Sequence, residues 1–168
     1  MRALQAGGMG VPFLPVRGIL GSAYLAVNPR FRVMADPFSG EELVAVQALT
    51  PDVTLIHAAL GDSRGNLLIP RASDWALAVT ASRKVIATVE ERVAGPLEDR
   101  PEWRLIPAIF LTALVHCPGG AAPTGYPGYY PQDEAHIALY LGCSKGPATF
   151  NDYLTKYVLS KKPNNGGT

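Results

Sequence analysis

Val53-Thr54-Leu55-Ile56, then Asp74-Trp75-Ala76-Leu77-Ala78-Val79-Thr80-Ala81, then Val85-Ile86-Ala87-Thr88-Val89 is the run whose reading decides the fold. The first and third segments are near-continuous apolar stretches rich in β-branched residues, the pattern of strands covered on both faces. The middle segment has helix-forming residues behind Ser73 or Asp74, either of which suits an N-cap. Strand, helix and strand at this spacing predict a parallel unit with a right-handed crossover.

Working outward, residues 42–49 and 66–69 also read as short strands, bounded by Gly40, Pro51, Gly61 and Gly65. Residues 104–115 are apolar and broken by Pro107, which suggests strand pieces. Residues 1–6 suit a helix that Gly7-Gly8 would end. The following Val11-Pro12-Phe13-Leu14-Pro15-Val16-Arg17-Gly18-Ile19-Leu20-Gly21-Ser22 has two prolines and two glycines, so a shaped loop with one short strand is expected. Residues 119–131 are too rich in Gly and Pro for any element, whereas 132–142 and 147–158 read as helices, the second opening on Pro147. The fold class is therefore α/β, an open and largely parallel sheet with helices on both faces. Residues 1–158 read as a single domain and 159–168 as a disordered tail.

Composition narrows the function classes. Of 168 residues, 48% are hydrophobic and only 17% charged, with 17 Gly and 15 Pro. That is an apolar, turn-rich chain with less charge than the roughly 25% of an average soluble domain, as expected of a subunit that hides surface against a partner. A net charge of +1 with no basic run argues against a nucleic-acid partner. Pro and Gly interrupt every greasy run, so no membrane span is expected. The N-terminus lacks a secretory h-region, and a cytoplasmic location is expected. Cys117 and Cys143 lack metal-ligand spacing and read as small core residues, so no metal site is expected.

Few residues carry chemistry on their own. Gly7-Gly8-Met9-Gly10 has the wrong spacing for a dinucleotide fingerprint and fits a turn or packing role. Glu90-Glu91 reads as a strand end, either functional or a solvated terminus beside Arg92. His57 closes a predicted strand, as a base or as a hydrogen-bonded structural group. Arg17 is a lone guanidinium in an apolar loop; its fork suits a carboxylate, on a ligand or in a structural salt bridge.

Four stretches, in order, resemble the class I CoA-transferase family, in the branch of glutaconate CoA-transferase alpha subunits. The first is Gly10 onward through Pro-Phe-Leu-Pro-Val-Arg-Gly to Ser22. The second is Asp36-Pro37-Phe38-Ser39-Gly40-Glu41-Glu42 with Pro51-Asp52-Val53-Thr54-Leu55-Ile56-His57-Ala58. The third joins Gly61-Asp62-Ser63-Arg64-Gly65-Asn66 to Lys84-Val85-Ile86-Ala87-Thr88-Val89-Glu90-Glu91. The fourth is Pro123-Thr124-Gly125-Tyr126-Pro127-Gly128-Tyr129-Tyr130, then Asp133 and His136-Ile137.

The resemblance implies an open α/β fold and transfer of CoA from an acyl-CoA to a carboxylic acid through a glutamyl thioester. It places the attacking glutamate on a partner beta subunit, so no catalytic residue is expected here. Phe13, Arg17, Gly21 and Ser22 would line the substrate pocket. Coenzyme A would enter as part of the substrate, with no bound cofactor. Alpha subunits of this family are nearly twice as long, and the half bearing the early Gly-Gly-Phe-like turn has no counterpart here, so the chain resembles their C-terminal half. Two alternatives remain on this scaffold: a hydrolase that opens the ring of a cyclic acyl-CoA, and a non-catalytic truncated subunit that only associates.

Overall fold

The computed structural model describes residues 1–160, so the expected tail lies outside the described residues except for its first two positions. Two compact units divide the chain, residues 1–120 and 121–168.

The first unit opens with α1 (Arg2–Gly8), β1 (Phe13–Val16), α2 (Tyr24–Val27), β2 (Phe31–Ala35) and β3 (Glu42–Gln47). These three strands form an antiparallel sheet in the order β1-β3-β2. Pro15 sits on the edge strand β1, where its missing amide proton leaves no central ladder bond unmade. The same unit continues with β4 (Thr54–Asp62), β5 (Leu67–Pro70), α3 (Trp75–Ala81), β6 (Val85–Val93), β7 (Trp103–Ile106), a 3-10 turn (Ala108–Phe110) and β8 (Ala113–His116).

These five strands make a second sheet in the order β7-β5-β4-β6-β8. β4 pairs parallel with β6, and β6 with β8, while β5 runs antiparallel to both β4 and β7. The expected crossover is present, with α3 returning the chain so that Thr54 faces Val85 and Asp62 faces Val93. One core lies between α3 and a sheet face: Val79 packs with Ile56, Ala58, Leu67, Ile69, Val85, Ala87, Val89 and Ile106. The architecture is a mixed α/β fold with a mostly parallel central sheet.

Several local expectations shift. β4 and β6 each run nine residues. His57 and Glu90 therefore lie inside strands rather than at their ends, and Gly61 continues β4 instead of closing it. Asp74 occupies the N-cap position of α3 without a side-chain cap bond. Ser73 Oγ donates instead to the Pro70 carbonyl. Gly7 and Gly8 are the last turn of α1, and packing explains them. A Cβ on Gly7 would stand 2.3 Å from the Leu49 carbonyl oxygen, and one on Gly8 2.8 Å from Thr80 Oγ1. β2 and α2 have no counterpart in the sequence reading.

In the second unit, α4 (Glu134–Cys143) begins where the Asp133 carboxylate accepts the His136 amide, and α5 (Pro147–Leu154) begins at Pro147. A π-helical turn (Thr155–Leu159) prolongs α5 and includes the first residue of the expected tail. His136 Nε2 and Tyr153 Oη are 2.8 Å apart, and Tyr140, Tyr153 and Tyr157 pack edge-on or tilted around them. Among the described residues no helix is long and apolar enough to cross a membrane.

The Gly7 contact generates the first prediction. Gly7→Ala forces α1 away from a backbone carbonyl that cannot rotate aside, and is expected to destabilise the first unit by about 1–3 kcal/mol. Urea unfolding of this variant beside Gly18→Ala, where an added Cβ meets only open space, checks it.

Candidate functional site

Several exposed arginines border hollows beside the three-stranded sheet. On one side, Arg2, Gln5, Met9, Leu14, Val16, Arg17 and Ile19 line an open groove of about 690 Å³. Arg17 follows β1 directly, and its Nη2 lies 2.6 Å from Glu41 Oε2 in a pair exposed on both sides. Phe13, at the start of β1, lines a different hollow with Pro12, Pro29, Arg30, Arg32, Ala45 and Gln47. Ser22 lines a third with Gly18, Ile19, Tyr24 and Phe31, and its Oγ is buried without a hydrogen-bond partner. Gly21 holds φ +74°, a left-handed turn next to Ser22. Arg17 and Phe13 thus lie on different hollows of one sheet rather than in a common pocket.

A turn beside Arg17 is built by a single acid. Asp36 Oδ1 accepts the Phe38 amide and Oδ2 accepts Ser39 Oγ. Those bonds hold its carboxyl below the ordinary carboxylate range, with the Phe38 amide the largest cause. The turn presents Phe38 almost fully to solvent, 96% exposed.

The five-stranded sheet brings together residues that are far apart in sequence. His57 Nε2 lies 2.5 Å from Glu90 Oε1, and His57 Nδ1 lies 2.7 Å from Thr88 Oγ1. The other Glu90 oxygen accepts the Gly119 amide at 2.7 Å, and its backbone carbonyl meets His116 Nε2 at 3.2 Å. Both side chains are largely buried, 13% exposed for His57 and 3% for Glu90. A Cβ on Gly120 would fall 2.7 Å from His57 Cε1, so the 117–120 turn closes on the imidazole. The pair is a fixed joint across β4, β6 and the segment after β8. With the imidazole on one carboxylate oxygen and an amide on the other, Glu90 is held as a structural acceptor, not presented as a nucleophile.

Asp62 makes a second buried joint. Its Oδ1 accepts the Arg64 and Asn66 amides, and its Oδ2 accepts Asn66 Nδ2 and the Leu97 amide. Asn66 Oδ1 in turn accepts the Ala108 amide. Gly65, at φ +87°, allows the tight return that makes this possible. Burial alone would raise the Asp62 pKa; the bonds from Asn66, Leu97 and Arg64 outweigh it and hold the carboxyl below its ordinary value. Among the described residues, no group of three His, Cys, Asp or Glu is arranged to hold a metal ion.

Comparison with known proteins agrees over most of the chain. The family model described as Coenzyme A transferase matches residues 1–116. A 3-oxoadipate CoA-transferase subunit from Pseudomonas knackmussii is 33% identical over 163 residues, covering 94% of this chain and 56% of the relative. A subunit of the cholesterol ring-cleaving hydrolase IpdA from Mycobacterium tuberculosis is 28% identical, covering 92% and 57%. The crystal structure of glutaconate coenzyme A-transferase from Acidaminococcus fermentans superposes with TM-score 0.84 at 26% identity, covering 95% of this chain and 56% of that one. A structure of a variant of the decarboxylase AibA/AibB gives TM-score 0.78 at 35% identity, covering 92% and 58%. The chain spans about half the length of the curated relatives it matches.

The joints give two predictions. Glu90→Ala leaves His57 and the Gly119 amide without their acceptor and is expected to cost about 3–5 kcal/mol of stability, read by chemical denaturation. Asp62 has a folded pKa below its unfolded value. Its stabilisation is complete above the unfolded carboxylate pKa of about 3.9 and is lost as pH falls through the lower folded value. Stability measured from pH 6 down to about pH 2 is therefore expected to fall in wild type more steeply than in Asp62→Asn.

Proposed function

The chain belongs to the coenzyme A transferase family, and from that premise we propose that it serves as an alpha-type subunit moving CoA between an acyl-CoA and a carboxylic acid. Its partner is a beta-type subunit that supplies the attacking glutamate. The observation that carries this reading is the Arg17 groove, which lies within the matched residues. Leu14, Val16, Ile19 and Met9 offer an apolar wall for an acyl chain, and Arg17 offers a two-pronged donor for a carboxylate.

The present partner of Arg17 does not oppose that role. An exposed ion pair such as Arg17–Glu41 contributes about 0–1 kcal/mol, so a substrate carboxylate can replace Glu41 at little cost. The 3-oxoadipate and glutaconate relatives support the transferase reading through their names.

In this reading the partner's glutamate attacks the thioester carbonyl and expels the CoA thiolate, leaving a mixed anhydride. The thiolate then attacks the glutamyl carbonyl of that anhydride and releases the first acid. The acceptor acid runs the same steps in reverse. This chain's share is to bind and orient. Arg17 holds the carboxylate end while the wall of the groove excludes water from the acyl chain. Gly21 and Ser22 shape the turn beyond Arg17, and Phe13 lines a neighbouring hollow on the same sheet. CoA enters and leaves as part of the substrates, and the complex is taken to be cytoplasmic.

Hydrolytic opening of a ring in a cyclic acyl-CoA is the second reading, supported by the ring-cleaving relative. Product analysis on the complex with its beta-type partner separates them. Transfer yields a free acid and a new acyl-CoA in equal amounts. Ring hydrolysis leaves CoA attached to an opened product, and release of carbon dioxide marks decarboxylation. Either of the last two outcomes overturns the transferase proposal. Arg17→Ala removes a charge-assisted contact worth about 1.5–3 kcal/mol, so KM for the acceptor acid is expected to rise about ten- to a hundredfold in steady-state assays.

A further inference from the structure

β2 is an edge strand of the three-stranded sheet, and two bonds fix which of its backbone groups face its neighbour. The Gln47 amide donates to the Arg30 carbonyl, and the Asp36 amide donates to the Glu41 carbonyl. Both lie on the register that sets Phe31 opposite Val46 and Ala35 opposite Glu42. Hydrogen-bonded pairs alternate along an antiparallel ladder. Arg30, Arg32, Met34 and Asp36 therefore turn their amides and carbonyls toward β3, and Phe31, Val33 and Ala35 turn theirs away from the sheet. Both outward groups of Phe31 are occupied: its amide donates to the Asn28 carbonyl, and its carbonyl accepts Arg32 Nη1 at 2.9 Å. Among the described residues, the outward amides and carbonyls of Val33 and Ala35 have no partner. The opposite edge is closed by composition, since Pro15 has no amide to offer on the outer side of β1.

The side chains of β2 alternate in character as well as in direction. Phe31 and Val33 stand on one face, where Val33 is half exposed. Phe31 also walls a hollow of about 440 Å³ together with Gly18, Ile19, Ser22 and Tyr24. Arg32 stands on the other face, with Arg30 just ahead of the strand in the same alternation. Arg17, Arg71 and Arg83 each have an acid within ion-pair distance, whereas Arg30 and Arg32 have none among the described residues. The approach to the strand is firmly held, because Asn28 Oδ1 accepts the Arg30 amide and fixes the turn through Pro29. One ordered edge therefore joins unpaired backbone, apolar side chains on one face and unpaired guanidinium groups on the other.

From this edge we infer that β2 docks an extended segment of a partner protein in which apolar and acidic side chains alternate. The segment adds a fourth strand to the sheet, pairing with the outward groups of Val33 and Ala35. Its apolar residues lie beside Phe31 and Val33, and its acids meet Arg32 and Arg30. Arg32 is also the guard of the edge. While its guanidinium sits on the Phe31 carbonyl, an incoming strand without an acid loses that acceptor, and an acid draws the guanidinium away. A second copy of this chain fits poorly. Pairing β2 with β2 antiparallel about Val33 would set the two Arg32 side chains on a diagonal of roughly 7–8 Å with no acid between them.

The probe is a fluorescein-labelled peptide of alternating valine and glutamate, titrated into the full chain and followed by fluorescence anisotropy. Two controls accompany it: the alternating valine–lysine peptide, and the glutamate peptide N-methylated at alternate residues so that one edge has no donors. The glutamate peptide is expected to bind at least about tenfold more tightly than either control. Reversing both charges, Arg30→Glu with Arg32→Glu, should shift the preference to the lysine peptide. Val33→Pro removes an outward amide without touching the ladder to β3, so it should abolish binding while the melting temperature holds. Hydrogen exchange supplies a readout that needs no variant: the Val33 and Ala35 amides should become protected when the glutamate peptide is saturating. Failure of the glutamate peptide to bind overturns the inference. Equal binding of the N-methylated peptide overturns strand addition in favour of charge attraction alone, and equal binding of the lysine peptide overturns the acidic partner. A chain that dimerises on its own and becomes monomeric with Val33→Pro assigns the edge to a second copy instead. Acyl-CoA turnover enters none of these readouts, so failure here leaves the transferase reading standing.

Discussion

The parallel pairing of β4 with β6 is the constraint from which the rest of the first unit follows. Parallel neighbours need a crossover, and α3 provides it while pressing Val79 into the core formed by Ile56, Val85, Ala87 and Val89. Once Thr54 is opposite Val85, the alternation of the two strands decides every later position. His57 stands beside Thr88, and Glu90 comes within reach of the imidazole two residues further along. Asp62 reaches the end of β4 with its carboxylate facing the turn that starts β5. A slip of one residue would move His57 and Glu90 onto the face of the apolar core and Val85 and Val89 off it. The two buried joints are therefore consequences of register, and they also enforce it. Each is satisfied only when its strands, its turn and the segments at Leu97, Ala108 and Gly119 are all in place.

How much of this was legible depends on whether the signal is local. The apolar runs at 53–57 and 84–89, the helix between them and the two late helices follow from periodicity and from Pro147, and the structure has them within a few residues. What was missed lies where tertiary partners override local character. Phe31-Arg32-Val33-Met34-Ala35 alternates weakly and carries a charge, and it is a strand because β3 offers it an open edge. Glu90 and Glu91 read as a strand end because acids rarely sit within strands, and Asp62 lies beyond the run that reads as apolar strand. They continue β6 and β4 because Gly119, His57, Asn66 and Leu97 satisfy the buried ones. The His57–Glu90 contact joins residues 33 positions apart, and no local pattern encodes it. Gly7 and Gly8 were legible as turn or packing residues, but what they pack against was not. Their close approach to Leu49 and Thr80 exists only after α1 has docked on its neighbours.

The resemblance and the geometry inform different parts of the reading. Residue patterns over the Pro-Val-Arg-Gly loop, the Asp-Pro-Phe-Ser-Gly turn and the Glu-Glu strand identify a scaffold, and the family match over residues 1–116 agrees with that. They could not say which of those residues are consumed by the fold. The structure divides them. Asp36, Asp62 and Glu90 are acceptors that order turns and strands. Arg17, Phe13, Arg30 and Arg32 stand on the exposed faces of a small sheet whose own core is Val44 and Val46. The acids are thus committed to the fold, Asp62 and Glu90 in its interior and Asp36 in an exposed turn, while Arg17 is held only by an exposed ion pair and Arg30 and Arg32 have no acid within ion-pair distance among the described residues.

The apolar surface points the same way. Leu55 lies on a central strand of the five-stranded sheet and is 74% exposed, and Ile109 at the tip of the 3-10 turn is 87% exposed. Residues on a mostly parallel sheet are normally covered on both faces, because such sheets leave little polar surface of their own. The turn bearing Ile109 is anchored from below by the Asn66 bond to Ala108, and the turn bearing Phe38 by the Asp36 carboxylate. Each apolar tip is thus held out by a satisfied polar network instead of folding back onto the core. Holding hydrophobic side chains in water in a fixed geometry serves stability in no way, since each exposed side chain forgoes about 1.5–3 kcal/mol of burial. It does serve docking, because a tip already ordered loses little entropy when a partner covers it. The low charge of the whole chain and the ordered apolar tips are two signs of one property, apolar surface held in a fixed geometry in water.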